Sequence, residues 1–221
     1  MATLESQITE FKTGFFKQAP PEAVRTIGDW VGELSASGIA GRSLSVGQAA
    51  PDFALPDAHG RTVRLADLRA QGPVVVMFYR GAWCPFCNLA VRAYQEALPQ
   101  IKALGAGLVA ISPQTPDNSL SLAEVAGLGY DVLSDRGNAV ARQFGIVYKL
   151  GDSISQLQKQ FGVNLSEANG DDSRELPLPG TFVVDQSGII TFAQVFADHT
   201  KRAEPAAVLD ALRRLTPAPG A

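Results

Sequence analysis

A buried strand that runs directly into a long helix is the feature that most restricts the fold of this 221-residue chain. Residues 74–79 form a continuous apolar run rich in valine, which is typical of a central strand buried on both faces. Apolar residues then recur with a period of about 3.6 over residues 86–104, which predicts a helix that Pro99 should kink or restart. A second apolar run at residues 107–112 predicts a parallel strand joined by a right-handed crossover. The sequence therefore predicts an α/β fold.

The remaining pattern extends this unit into a central mixed sheet flanked by helices. Further elements are predicted as a hairpin at 52–55 and 62–65, helices at 119–128 and 138–144, a strand at 130–133, a hairpin at 181–184 and 189–195, and a last helix at 205–215. Residues 151–177 are interpreted as an insertion that carries one helix, at 155–161, and then a polar loop.

The first forty residues predict two amphipathic helices separated by Pro20 and Pro21. Their apolar residues recur at helical spacing: Leu4, Ile8, Phe11 and Phe15, then Val24, Ile27, Val31 and Leu34. Such a stripe must be covered, either by the main domain or by a second subunit, and the sequence leaves both open. We therefore predict an N-terminal helical extension over residues 1–44 and a main domain over residues 45–221.

Charge and hydropathy exclude several classes of protein. The 19 Lys and Arg nearly balance the 22 Asp and Glu, so the chain lacks the basic excess of a nucleic-acid-binding protein. No apolar run approaches the roughly 18 residues of a membrane span, and residues 1–10 lack the pattern of a signal peptide. We expect a cytoplasmic protein, in which a purely structural disulfide would not persist.

The only two cysteines, Cys84 and Cys87, lie three residues apart where the predicted strand gives way to the helix. Cys84 opens the helix, so unpaired backbone N–H groups and the helix dipole favour its thiolate and predict a lowered pKa. Arg80 is a candidate second cation, although a solvated strand end would explain it equally well. Cys87 lies one turn further in, where burial favours the neutral thiol. This pattern predicts an attacking Cys84 and a resolving Cys87.

Two other interpretations of the cysteines are weaker. A structural zinc site needs four ligands, and only His59 and His199 remain, which we interpret as a turn residue and a surface residue. Inert core thiols are rare at such a turn, where Trp83 either fills the core or shields a disulfide. The charged segment 198–204 is interpreted as a solvated cap of the last helix. Because no glycine-rich phosphate loop is present, we expect no bound nucleotide, flavin or other cofactor.

Several segments resemble known redox proteins. Residues 76–87, VMFYRGAWCPFC, resemble the thioredoxin active-site turn, and the inner Pro-Phe is close to that of glutaredoxins. Residues 47–55, GQAAPDFAL, resemble the opening of peroxiredoxins of the alkyl hydroperoxide reductase and thiol-specific antioxidant type, as do residues 109–112 and 133–135. The chain is thus similar to peroxiredoxin-like redoxins over about residues 45–150 and 176–216.

This resemblance implies a thioredoxin-like fold and a thiol-dependent peroxidase. Cys84 would attack hydrogen peroxide or an organic hydroperoxide, Cys87 would condense with the sulfenic acid, and thioredoxin, glutaredoxin or glutathione would restore the dithiol. A protein disulfide reductase and a redox-sensing interaction protein remain as alternatives. Peroxiredoxin relatives associate readily, which favours a homodimer.

The resemblance also implies a role for Pro179, and the sequence departs from the peroxiredoxin pattern at two positions. Residues 179–185, PGTFVVD, resemble the segment in which thioredoxin-type proteins carry a cis-proline opposite the active-site cysteine, although an ordinary trans turn proline would also suit this place. Peroxiredoxins carry a threonine or serine three residues before the peroxidatic cysteine, where this chain has Gly81. They also carry an arginine before the late strand, where it has Pro179. These differences imply a slow peroxidase unless Arg80 replaces the missing cation.

Overall fold

The computed structural model describes residues 2–116, 118–119 and 127–215. Its strands are β1 Ala54–Pro56, β2 Thr62–Arg64, β3 Val74–Phe78, β4 Gly107–Ser112, β5 Asp131–Ser134, β6 Val147–Lys149, β7 Glu175–Pro177, β8 Gly180–Val184 and β9 Ile190–Val195. Its helices are α1 Leu4–Gln18, α2 Pro21–Ala36, α3 Leu65–Gln71, α4 Pro85–Ala103, α5 Ala139–Gln143, α6 Asp152–Gln160, α7 Leu165–Asn169 and α8 Pro205–Leu215. The predicted helix at 119–128 lies largely outside the described residues.

A five-stranded mixed sheet with the order β5-β4-β3-β8-β9 forms the centre of the molecule. β3 pairs in parallel with β4 and antiparallel with β8, so the predicted strand–helix–strand unit lies in the middle of the sheet. Every side chain of β3 and β8 is buried, as expected of strands covered on both faces. The predicted α/β class with a central mixed sheet is confirmed.

Helix α4 follows the turn that carries both cysteines, and it runs through Pro99. The helix continues through this proline to Ala103 and does not restart. Ala97, Leu98 and Ile101 are buried on either side of Pro99, and their packing holds both halves in one helix despite the lost backbone hydrogen bond.

The two N-terminal helices pack on the rest of the chain. The Thr3 side chain caps α1 by accepting a hydrogen bond from the Ser6 amide. Leu4 and Ile8 of α1 are buried in the cluster that contains α4 and α8, while Ile27 and Trp30 of α2 join the core on the other face of the sheet. The apolar stripe is therefore covered mainly by its own chain. The domain boundary at residue 44 stays a prediction.

The segment 151–177 contains more regular structure than the single helix predicted. It holds α6, α7 and the strand β7, which pairs with β6. β6 and β7 have three residues each, too few for a periodic pattern to indicate them. None of the described helices is both long and apolar enough to cross a membrane.

Candidate active site

The turn between β3 and α4 carries both cysteines in reduced form. Cys84 is the N-cap residue of α4, and its carbonyl oxygen accepts hydrogen bonds from the Cys87 amide at 3.0 Å and the Asn88 amide at 3.1 Å. The turn is fixed from outside, because Gln114 Oε1 accepts a hydrogen bond from the Ala82 amide at 2.6 Å. Cys84 is 2% exposed and Cys87 is fully buried. The predicted position of Cys84 at the helix start is confirmed.

A guanidinium contacts each sulfur. Arg80 Nη1 lies 3.9 Å from Cys84 Sγ, and Arg202 Nη2 donates to Cys87 Sγ at 3.0 Å. Arg80 is only 3% exposed, and its guanidinium lies 4.7 Å from the centre of the Trp83 ring. The interpretation of Arg80 as a solvated residue is therefore wrong. Among the described residues, neither guanidinium forms an ion pair with a carboxylate.

These contacts shift the pKa values of the two thiols in the opposite sense to the one predicted from the sequence. Burial raises the pKa of Cys84 well above its usual range, and its hydrogen bond to Cys87 raises it further. Burial also opposes ionisation of Cys87, but the hydrogen bond from Cys84 and the charges of Arg202 and Arg80 lower its pKa well below the usual range. The hydrogen bond within the pair and the charge of Arg202 therefore favour Cys87 as the more acidic thiol, against the prediction for Cys84. The two thiols are coupled, so the first proton leaves the pair as a whole, and Arg202 stabilises the negative charge when it lies on Cys87.

Arg202 belongs to a segment that touches the site along most of its length, which we name the 198–204 loop. Arg202 Nη1 donates to the carbonyl oxygens of His199 at 2.7 Å and Lys201 at 2.6 Å, which fixes its guanidinium. His199 is buried, and its ring centre lies 5.5 Å from that of Phe86. Burial, followed by the nearby arginine charges, lowers the pKa of His199 well below its usual range, so its ring is neutral. The interpretations of this segment as a solvated cap, and of His199 as a surface residue, are wrong.

The same loop also binds helix α1. Glu204 Oε2 accepts a hydrogen bond from the Leu4 amide at 3.2 Å, and Glu204 Oε1 accepts one from the Glu5 amide. Asp198 Oδ2 lies 3.9 Å from Lys12 Nζ. The carboxylate of Glu204 occupies the positive end of α1, so the loop binds the N-terminal helix through Asp198 and Glu204 and contacts Cys87 through Arg202 between them.

Cys84, but not Cys87, borders a cavity of about 360 Å³, which we name the Cys84 cavity. Arg80, Trp83 and His199 also line it. A substrate in this cavity would meet the sulfur of Cys84 first, with Arg80 beside the point of contact. Cys84, at the cavity, is thus the thiol with the raised pKa, and Cys87 lies outside the cavity lining.

The site can be compared with known proteins. Residues 46–193 match the AhpC/TSA family. The chain belongs to this family. It is 30% identical over 151 residues to a putative peroxiredoxin of Mycobacterium tuberculosis, and the match covers 68% of this chain and 85% of that protein. It is also 30% identical over 147 residues to the chloroplastic peroxiredoxin Q of Populus jackii, of which the match spans 58%, against 66% of this chain.

Solved structures of peroxiredoxins have the same fold. The crystal structure of peroxidoxin BcpB from Mycobacterium tuberculosis superposes with a TM-score of 0.62 at 26% identity and covers 78% of this chain and 98% of that one. A peroxiredoxin-like protein from Aquifex aeolicus gives a TM-score of 0.63 at 15% identity, with coverage of 80% and 90%. The resemblance to peroxiredoxin-like redoxins of thioredoxin fold is thereby confirmed.

Gly81, at the place where the resemblance implies threonine or serine, is required by the shape of the turn. Its φ of 151° lies in a region that side chains rarely adopt. A Cβ added there would clash with Nε1 of Trp83 and lie 3.1 Å from the amide carbon of Gln114. A threonine at position 81 would therefore strain the backbone of this turn and force the Trp83 side chain to move.

Pro179 is a trans proline, since no described peptide bond is cis, so the predicted cis bond is wrong. Extended backbone flanks this residue on both sides. The Leu178 amide donates to Ile146 at 2.7 Å, and the Pro179 carbonyl oxygen accepts from the Phe196 amide at 3.0 Å. A cis bond would turn the chain sharply and break these contacts, which extend the pairing of β7 and of β8 by one residue.

Arg202 is the functional residue that sequence reasoning missed. It stands 115 residues from Cys87 and belongs to no local pattern that would indicate their contact. The resemblance to peroxiredoxins implies an arginine near the late strand β8. This chain instead brings one from the loop that follows β9.

Proposed function

We propose that this chain is a thiol-dependent peroxidase that reduces hydroperoxides through a Cys84–Cys87 dithiol and disulfide cycle. One observation carries the proposal: the Cys84 thiol borders a cavity and is hydrogen-bonded to Cys87, whose sulfur accepts a hydrogen bond from Arg202 at 3.0 Å. A nucleophile in contact with its base is the arrangement that thiol chemistry requires. Membership of the AhpC/TSA family supports the same reaction.

In the first step, the Cys87 thiolate takes the proton of Cys84. The Cys84 thiolate attacks the terminal oxygen of the hydroperoxide, the O–O bond breaks, and Cys84 becomes a sulfenic acid. The departing oxygen, as alkoxide or hydroxide, takes the proton from Cys87 and leaves as an alcohol or water. Sulfur is oxidised by two electrons and the peroxide is reduced by two.

Arg80 is proposed to stabilise the departing oxygen. Two guanidinium groups face a pair that carries one negative charge, so one positive charge stays uncompensated among the described groups. Burial opposes the charge of Arg80, but Tyr148 and the two cysteine sulfurs raise its pKa, so the residue stays protonated. A fixed charge in a buried site costs no reorganisation when the oxygen leaves.

In the second step, the Cys87 thiolate attacks the Cys84 sulfenic acid. The S–S bond forms, hydroxide leaves, and a solvent proton converts it to water. A thiol reductant then restores the dithiol by exchange. We propose thioredoxin, glutaredoxin or glutathione as donors.

Stopped-flow oxidation of the reduced protein tests the proposal. Second-order oxidation by hydrogen peroxide or an organic hydroperoxide, lost in Cys84→Ser and followed by an intramolecular Cys84–Cys87 disulfide, is the expected result. Fast reduction of insulin disulfides without peroxide oxidation would instead identify a protein disulfide reductase. If the protein shows neither reaction, it is a redox sensor.

We also propose a cytoplasmic location and a homodimer. The two adjacent cysteines suit a reducing compartment, because their chemistry needs the dithiol. Symmetric dimers are the commonest oligomers. Sedimentation velocity of the reduced and oxidised protein tests the dimer.

A further inference from the structure

We propose that Trp30 is a positioning residue of the redox site, and that the face of its indole ring holds the Arg80 guanidinium beside Cys84. This inference rests on the proposed peroxidase function, in which Arg80 stabilises the departing oxygen, and it adds a residue to that site. Trp30 lies in helix α2, which precedes the matched residues 46–193 of the AhpC/TSA family. The N-terminal extension therefore supplies a part of the site that the family match does not contain.

The Arg80 guanidinium lies over two indole rings. Its central carbon is 5.4 Å from the centre of the Trp30 ring and 4.7 Å from the centre of the Trp83 ring. Both distances fall within the roughly 6 Å over which a cation is attracted to the face of an aromatic ring. This attraction is stronger away from water, and both Arg80 and Trp30 are buried. The contact with Trp30 is therefore of the stronger kind.

An aromatic partner suits the role of Arg80 better than a carboxylate would. A carboxylate would hold the guanidinium firmly, but it would also neutralise the charge that acts on the departing oxygen. An indole face attracts a cation through its quadrupole and carries no net charge. Within the described part of the chain, no carboxylate forms an ion pair with Arg80. The two rings thus fix the guanidinium and leave its charge available at Cys84, 3.9 Å away.

Trp30 is itself fixed by rings from other parts of the chain. Its ring centre lies 4.8 Å from that of His199, in the 198–204 loop, and 6.1 Å from that of Tyr148, in β6. Burial lowers the pKa of His199 and raises that of Tyr148, so both rings are neutral. The cation that the Trp30 face meets is therefore Arg80, and the indole ring has neighbours that keep it there.

A double-mutant cycle on the rate of oxidation by hydrogen peroxide tests the coupling between Trp30 and Arg80. Trp30→Leu keeps an apolar side chain but removes the ring face, so the second-order rate constant should fall about tenfold, whereas Trp30→Phe should retain most of it. In an Arg80→Met background, Trp30→Leu should have no further effect, because the group that it positions is gone. An equal loss in both backgrounds would show that Trp30 only fills space and would overturn the inference.

The titration of Cys84, followed by thiolate absorbance, tests the same placement without peroxide. In a Cys87→Ser background, Arg80 and Arg202 are the cations that act on Cys84. The charge of Arg80 lowers the pKa of Cys84 against the effect of burial. Trp30→Leu frees the guanidinium and should therefore raise that pKa by about 1, and Trp30→Phe should raise it by less.

Leu34→Ala supplies a control in the same helix. Leu34 is partly buried against the core and does not border the Cys84 cavity, so this variant should lose stability but keep the wild-type rate constant and Cys84 titration. An unchanged Cys84 titration in Trp30→Leu, with the fold intact by circular dichroism, would overturn the inference whether or not the protein reduces peroxide. If the titration shifts but no hydroperoxide oxidises the protein, the placement of Arg80 by Trp30 stands and the peroxidase function fails.

Discussion

Replacing Arg202 by methionine should raise the pKa of Cys87 and make the disulfide less oxidising. Methionine keeps the length of the side chain and removes the guanidinium that donates to Cys87 Sγ at 3.0 Å. A hydrogen bond to a charged group contributes about 1.5–3 kcal/mol, and one pKa unit corresponds to about 1.4 kcal/mol. The pKa of Cys87 should therefore rise by about 1 to 2.

The sign of the pH effect follows from that change. In the wild type, the lowered pKa of Cys87 keeps its thiolate populated well below the usual cysteine range. In Arg202→Met the titration moves to higher pH, so the thiolate population, and with it the oxidation rate, falls at neutral pH. Because the thiolate stabilises the reduced form, its loss should lower the reduction potential by about 30–65 mV.

The assay is the ultraviolet absorbance of the thiolate against pH. Measured in a Cys84→Ser background, which keeps a hydroxyl donor beside Cys87, it reports Cys87 alone. Arg202→Lys should recover part of the effect, and Arg213→Met, which removes an exposed guanidinium paired with Asp210, should have none. An unchanged titration in Arg202→Met, with the fold intact by circular dichroism, would refute the role given to Arg202.

Three further predictions concern the site and its support. Cys84→Ser should abolish peroxide reduction, whereas Cys87→Ser should permit one slower reaction and trap a sulfenic acid detectable by mass spectrometry; full turnover by either variant would contradict the assignment. Gly81→Thr should destabilise the protein in urea unfolding by more than the roughly 1–3 kcal/mol of backbone strain, because it combines a strained φ with a clash. The control Gly47→Thr, at a φ of 91° with open space around it, measures the strain alone. Deleting residues 1–40 should lower the free energy of unfolding by more than about 3 kcal/mol, since several buried apolar side chains are lost; a truncated protein of equal stability and solubility would show that the extension is dispensable.

Much of the sheet and the redox turn follows from local pattern. The apolar run of β3 is too continuous for a surface strand, and the helix α8 begins at Pro205, where its periodic pattern begins. Cys84 and Cys87 stand out because they are close in sequence and lie where a strand meets a helix. These features depend on neighbouring residues, which a single sequence displays.

Features that depend on distant contacts escaped prediction. Arg202 reaches Cys87 across 115 positions, and its charge adds to the hydrogen bond from Cys84 in lowering the pKa of Cys87. Pro179 follows the extended backbone of its neighbours, which the resemblance to thioredoxin-type segments did not reveal. The sequence could not say whether the main domain or a second subunit covers the N-terminal apolar stripe. The pattern shows that a helix face is apolar, but it does not show which surface packs against that face.

The 198–204 loop connects the N-terminal helix to the redox pair, because Glu204 contacts α1 and Arg202 contacts Cys87. Oxidation removes the thiolate that Arg202 contacts, while Glu204, two residues further on, still holds the first amides of α1. A tag fused immediately before α1 would disturb that carboxylate from the other side. Activity and redox potential measured on an N-terminally tagged protein would therefore describe a perturbed thiol pair, and purification from the C-terminal side is the safer design.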